Sequence, residues 1–158
     1  MAKRYSSAIV VNGPVPAGRA YAQMVAGALL PISVREILIS TRSNIGGEIA
    51  ISRTFSPGTG AATGIATGIN HRMGATTSAQ LSNAWTNSGA APTGFNSKMR
   101  QSILPVATGQ VLQLWTLDDG PLVLEPGEGI ILMNPGSGID AGSLSVNCTW
   151  EEGPASDN

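Results

Sequence analysis

The chain has 158 residues, enough for one domain that buries a real core without covalent staples. Hydrophobic residues make up 42% and charged ones only 12%, with 20 Gly and 10 Pro, a balance that suits short strands joined by many turns better than amphipathic helices. A net charge of -1 gives no overall electrostatic reason to seek nucleic acid or anionic lipid; one cysteine, Cys148, excludes an intrachain disulfide framework; and no apolar run approaches the roughly 20 residues of a membrane-spanning helix.

The first residues, Met1 to Arg4, run into Tyr5-Ser-Ser and a few apolar residues that soon meet Asn12-Gly13-Pro14, too short and too broken for a secretory signal. Synthesis in the cytoplasm is expected, in a single domain spanning 1–158 with 1–4 and 153–158 frayed. Tyr5 to Val11 reads as a first strand, stopped where glycine tolerates positive φ and proline cannot join a ladder. Ala20 to Leu30 is apolar and ends before Pro31; without charged partners it reads as a strand with a bulge near Gly27. Ile32 to Thr41, "ISVREILIST", loses its alternation at Arg35-Glu36 and resumes through Ile37 and Ile39, the phase slip that a β-bulge produces. Glu48 to Phe55 puts Ile49 and Ile51 on one face, with Arg53 in phase.

From Ser56 to about Ser97 the pattern disappears into Gly, Ala, Thr, Ser and Asn, including "TGIATGI". The expectation is a long loop that lacks a core of its own and is ordered by something outside, with Trp85 and Phe95 needing cover there. Strand-like sequence returns at Lys98 to Leu104 and at Gln110 to Leu117, followed by the turn Asp118-Asp119-Gly120-Pro121. Leu122 to Glu125 and Gly129 to Asn134 flank a Pro126-Gly127 hairpin turn of type II, because proline presets φ and glycine accepts φ near +80°. Ser143 to Glu151 alternates strictly, Leu144, Val146, Cys148 and Trp150 on one side and polar residues on the other. Many strands at short spacing make the fold all-β, a two-sheet β-sandwich of jelly-roll type with a long Gly/Ala/Thr-rich loop.

Charge is unevenly placed along the chain. All nine Lys and Arg lie in the first 100 residues, and eight of the ten acids in the remaining 58. Either opposite ends of the molecule carry opposite sign and favour contacts with copies of itself or an acidic lattice, or strands from the two halves interleave and neutralise each other. All-β folds routinely pair distant segments, which favours the second.

Candidate chemistry is sparse. Glu125 and Glu128 are the outer corners of a solvated turn, where nothing drives two carboxyl pKa values apart for acid and base roles. His71 is the only histidine and sits in the patternless tract; a metal-binding cupin, the enzyme family most like a jelly roll, needs several. The glycine-rich "SPGTGAATG" and "NPGSG" lack the Gly-Lys-Ser/Thr of a phosphate loop. Trp115 and Trp150 lie in strands and read as core, whereas Trp85 remains a possible stacking surface for a sugar. No cofactor or metal is expected.

The ordered series "VREILIST", "ISRTF", "SNAW", "MRQSILPVATGQVLQLW", "GPLVLEPGEGIILMN" and "LSVNCTWEE" resembles a family of small structural proteins encoded by tailed bacteriophages. The likeness runs from about Tyr21 to Glu152. It is carried by Leu104, Pro105, Gly109 and Trp115, by the Leu122 to Leu132 segment and by the closing Trp150-Glu151-Glu152. The resemblance implies a virion protein, a jelly-roll decoration or cement protein that trimerises on the capsid surface and bridges major capsid protein subunits. The family pattern contains no catalytic residues. Lys3, Arg4, His71, Arg72, Trp85 and Phe95 are the residues expected to meet the shell or a neighbouring copy. A receptor- or glycan-binding head spike or tail tip, using Trp85, is the alternative from another class.

Overall fold

The computed structural model describes residues 3–12, 15, 18–43, 47–56, 62–70, 76–85, 92–94, 98–104, 108–136 and 143–153. Twelve strands follow in order: β1 (Lys3–Asn12), β2 (Ala20–Val25), β3 (Ile32–Thr41), β4 (Gly47–Ser56), β5 (Ala62–Asn70), β6 (Thr76–Trp85), β7 (Thr93–Gly94), β8 (Arg100–Leu104), β9 (Val111–Trp115), β10 (Leu122–Leu124), β11 (Gly129–Met133) and β12 (Ser143–Glu152). A short 3-10 turn, Leu117–Asp119, separates β9 from β10. The protein is all-β, with two antiparallel sheets packed as a sandwich.

In the first sheet β12 lies between β1 and β3, and β9 and β10 lie end to end along the other edge of β3. In the second, β11 lies between β2 and β4, with β8 and β7 end to end along the far edge of β4. Alternation dictates what each sheet buries. The rung Ile9, Val146, Ile39, Leu112 crosses the first sheet, and Ile51, Leu132, Ala22 crosses the second. Apart from Leu112, which is half-buried and packs against it, these residues belong to one hydrophobic cluster, in which each fully buried Val, Leu or Ile contributes about 1.5–3 kcal/mol. β12 buries Leu144, Val146, Cys148 and Trp150, as its period of two requires. The Trp150 indole is completely buried and stacks on Tyr5, centroids 6.0 Å apart. In β2 Tyr21 is also buried; its hydroxyl donates to the Glu48 carbonyl at 2.9 Å, and burial together with the Glu48 charge pushes its pKa well above the ordinary tyrosine range.

The slip in β3 is a bulge. Glu36 pairs with Thr149 and Val34 with Trp150, leaving Arg35 without a partner in the register. The bulge lets Ile32, Val34, Ile37 and Ile39 all face the core while Arg35 and Glu36 both stay half-exposed.

Three expectations need correction. The Ser56 to Ser97 tract is not one long loop: its described residues include β5 and β6, which pair with each other, β5 also pairing with β1 and β6 with β2. The sequence hid them because small residues give no apolar contrast, yet Ala79, Leu81 and Ser82 are buried. Second, β2 ends at Val25, before Gly27; the irregularity on this strand falls instead opposite Leu132 and Met133 of β11. Third, the Pro126-Gly127 turn joins no hairpin. Its geometry is as expected, with Gly127 at φ 81° and the Glu128 N–H donating to the Glu125 carbonyl at 2.9 Å. However, β10 pairs with β3 and β11 with β2 and β4, so this turn carries the chain from one sheet to the other. At its start β1 takes in Lys3 and Arg4, which lie in register with Glu152 and Glu151.

Candidate functional site

The residues expected to make contacts do not form one site. Lys3, described in its backbone alone, opens β1, and Arg4 follows it. Trp85 ends β6 opposite Ala62, whereas β5 reaches β1 at the other end of its hairpin, through Ile69 and Asn70. A ten-residue strand therefore separates Trp85 from the Arg4 end by about 30 Å. His71, Arg72 and Phe95 lie outside the described residues, as does the Trp85 side chain.

The charges that are placed work in pairs across the sequence halves. Glu151 receives Arg4 on one oxygen at 3.0 Å and Arg35 on the other at 2.8 Å. The bulge at Arg35 is what brings its guanidinium to the outer face of β12. Burial alone would raise the Glu151 pKa, but hydrogen bonds from Arg35 and Arg4 outweigh it and hold the carboxyl below its usual range. Glu128 accepts from the Glu125 N–H at 3.0 Å and from Arg53 at 3.1 Å, and Arg53 also donates to the Val123 carbonyl at 3.0 Å. Arg53, in phase with Ile49 and Ile51 on β4, thus clamps the sheet-crossing turn to β10. Every ion pair among the described residues joins a base from the first 100 residues to an acid from the last 58, so the halves neutralise each other within one sandwich.

The fourth pair closes the side of the sandwich opposite β5 and β6. Arg100 on β8 grips Asp119 with two hydrogen bonds, 2.7 and 2.6 Å, and its guanidinium lies 5.0 Å above the Trp115 ring on β9. The Trp115 indole donates to the Gly120 carbonyl at 3.1 Å, and Asp119 also accepts from the Thr116 N–H at 2.8 Å. Hydrogen bonds from Arg100 first and the Thr116 backbone second lower the Asp119 pKa to about 2. A cation over an aromatic face and a bidentate carboxylate together fix the 3-10 turn against both sheet edges.

Beside this closure β8 is oriented against its own alternation. Arg100 turns onto Trp115, and Met99, Gln101 and Ile103 face solvent, Ile103 at 74% exposure; on β9 Val111 is 62% exposed. A second exposed apolar group sits at the end of the sandwich near Arg4, where the loop after β2 presents Leu29 at 84% and Leu30. That loop is braced on both flanks: Gly127 donates to the Gly27 carbonyl and Gly153 to the Pro31 carbonyl. Sequence reasoning missed both groups, reading Ala20 to Leu30 as strand and Lys98 to Leu104 without a face. The available signal was a leucine pair between Gly27 and Pro31, and an arginine in phase with the inward side of β8.

Cys148 is buried, and burial pushes its thiol up to about 12, so it stays protonated and unreactive in the folded state. Asn134 is fully buried and hydrogen-bonded at both ends of its amide, its side chain donating to the Val15 carbonyl at 2.8 Å and accepting from the Gly136 N–H at 3.2 Å. Among the described residues no three of His, Cys, Asp and Glu come together as a metal-binding set, and no helix is long and apolar enough to cross a membrane. Comparison with protein-family models, with curated proteins and with solved structures found no match.

Proposed function

We propose that the chain is a structural part of a bacteriophage particle, a decoration or cement protein that binds the outer surface of the head and bridges major capsid protein subunits. The observation that carries this reading is the inverted β8, an edge strand that shows Ile103, and Met99 just before the strand, to water while tucking Arg100 against Trp115. An apolar strip of this kind on a rigid frame is a surface for another protein. The strand order supports the jelly-roll form of the sandwich: β10-β3-β12-β1 faces β2-β11-β4-β8, the arrangement of two interlocked Greek keys, with β5 and β6 as an insertion between β4 and β8. Jelly rolls serve many functions, so the phage assignment leans on the sequence resemblance, and the fold is compatible with it. The bridging contacts are individually weak and gain strength by repetition over a lattice. In this reading the protein is not an enzyme, self-associates as a homotrimer, and uses no cofactor, nucleic acid or membrane.

Mixing purified protein with undecorated capsids and, separately, with host-cell glycans tests the reading. Saturable capsid binding, at a stoichiometry set by the symmetry sites of the shell, is expected. Binding to glycans or cells alone overturns it in favour of a head spike or tail tip.

A further inference from the structure

We infer that Asp119–Gly120 is a latent site of covalent self-modification, held shut by Arg100: when the guanidinium leaves, the Gly120 nitrogen closes on the Asp119 carboxyl and the turn rearranges to isoaspartate. This is the only Asp-Gly pair in the sequence. Glycine after aspartate leaves the attacking nitrogen unhindered, and Gly120 stands open, at φ 80° with nothing within 4 Å of where a Cβ would be. The carboxyl, by contrast, is tied down by four hydrogen bonds. Arg100 takes both oxygens, at 2.7 and 2.6 Å, and the Thr116 N–H and hydroxyl donate to one of them at 2.8 and 3.1 Å. Two of these donors belong to the residue three positions earlier in the chain, which draws the carboxyl back over the turn. On the other side of the reacting bond the Gly120 carbonyl is anchored by the Trp115 indole at 3.1 Å. Ring closure needs the nitrogen and the carboxyl carbon to meet at about 3–3.5 Å in line for attack, so the carboxyl must first leave these donors.

The step balances within the chain. A C–N bond forms between the Gly120 nitrogen and the side-chain carboxyl carbon of Asp119, the nitrogen gives up its proton, and a carboxyl oxygen leaves as water, giving a succinimide ring. Water then adds back and opens the ring; opening at the former main-chain carbonyl routes the backbone through the side-chain carbon. No oxidant or metal takes part, and the water lost in the first step is regained in the second. The leaving oxygen must carry a proton. Hydrogen bonds from Arg100 first and the Thr116 backbone second keep the carboxyl ionised, with a pKa of about 2 in place of 3.8, which cuts the reactive neutral form by roughly 60-fold. Isoaspartate has a longer main chain and a shorter side chain, so its carboxylate cannot regain the two-pronged grip of Arg100. Release of Arg100 is reversible at first, and this rearrangement makes it permanent, a one-way latch on the side of the sandwich that Arg100, Trp115 and Asp119 close. The inference is independent of what the protein binds.

Long incubation of the full chain at neutral pH, followed by peptide mapping with fragmentation that separates isoaspartate from aspartate at equal mass, decides it. Deamidation at Asn12-Gly13 changes the mass and is not confused with it. A synthetic peptide of residues 115–123 sets the unprotected rate. The wild type is expected to form isoaspartate at position 119 at least about tenfold more slowly than the peptide, and Arg100→Gln to approach the peptide rate. Arg100→Lys, which keeps the charge and loses the two-pronged grip, falls between them. Arg53→Gln cuts the other arginine tie between the sheets, to Glu128 and the Val123 carbonyl, and is expected to match the wild type. Thermal melts above the incubation temperature show that each variant stays folded; where Arg100→Gln melts too low, Arg100→Lys against wild type decides. A wild type that isomerises as fast as the peptide, an Arg100 variant as slow as wild type, or an Arg53→Gln variant as fast as the Arg100 variants overturns the inference.

Discussion

The sandwich has two open sides, and the protein closes them by different means. On one, the β5–β6 hairpin joins β1 to β2 by backbone pairing, at Tyr5 and Ser6 on one flank and at Gln23 to Val25 on the other, and is built from Gly, Ala, Thr and Ser with few large side chains. On the other, no such bridge joins β8 to β9 among the described residues; Arg100, Trp115 and Asp119 span the gap, and the flanking edges carry exposed apolar residues. Where it pairs, a backbone seam satisfies its own hydrogen bonds and covers the strand edges, whereas a side-chain seam leaves edges open. The two sides therefore differ in what they make available: one is bridged by backbone, and the other leaves strand edges and apolar side chains exposed.

The largest expected effect tests whether the bridged side is part of the core. Leu81→Ala on β6 should cost about 2–5 kcal/mol by urea denaturation, since Leu81 is buried in register with Met24; a loss under about 1 kcal/mol would mean that the hairpin only rests on the sandwich. Next comes the strand that ties β2 to β4. A Cβ at Gly129 would stand 2.8 Å from the Thr54 methyl and 3.0 Å from the Met24 carbonyl, so Gly129→Ala should destabilise by about 1–3 kcal/mol through overpacking. Gly127→Ala, with open space around it but φ at +81°, should cost only about 1 kcal/mol, from backbone strain alone.

The smallest effect belongs to the side-chain seam. The Asp119 pKa is depressed from 3.8 to about 2, so its contribution is complete above the unfolded value and disappears as pH falls through the folded one. The stability difference between wild type and Asp119→Asn should be constant from neutral pH down to about 4 and shrink toward zero near pH 2. Because the pair is solvent-exposed, the difference should also fall with added salt. A difference independent of both pH and salt would show that Trp115 packing closes this side without the ion pair.

Local features were legible in the sequence where a local rule governs them. The alternation of β12, the bulge at Arg35 and the type II geometry at Pro126-Gly127 each follow from a few adjacent residues. The destination of that turn was not legible, because which strand β10 and β11 pair with depends on residues some 75 to 110 positions away. β5 and β6 were hidden for a related reason. Threonine, alanine and glycine fit the pleat but mark neither face, so only Leu81, among the placed side chains, betrays the inner one. Of the contact residues expected from sequence, Arg4 is engaged with Glu151, whereas the exposed apolar groups lie in segments read only for secondary structure. Exposure is decided by which neighbour covers a strand, and a single sequence does not state its neighbours.

β12 occupies the middle of the first sheet, between β1 and β3. A nascent chain emerging from the ribosome holds the first and third strands long before the one that must sit between them, and until residues 143–152 arrive each lacks its partner on that shared side. Completion of the fold must therefore wait for this late strand. Premature truncation before it would release a species with two bare edges and no Trp150 to fill the centre, a substrate for chaperones and proteases rather than a slightly shorter protein.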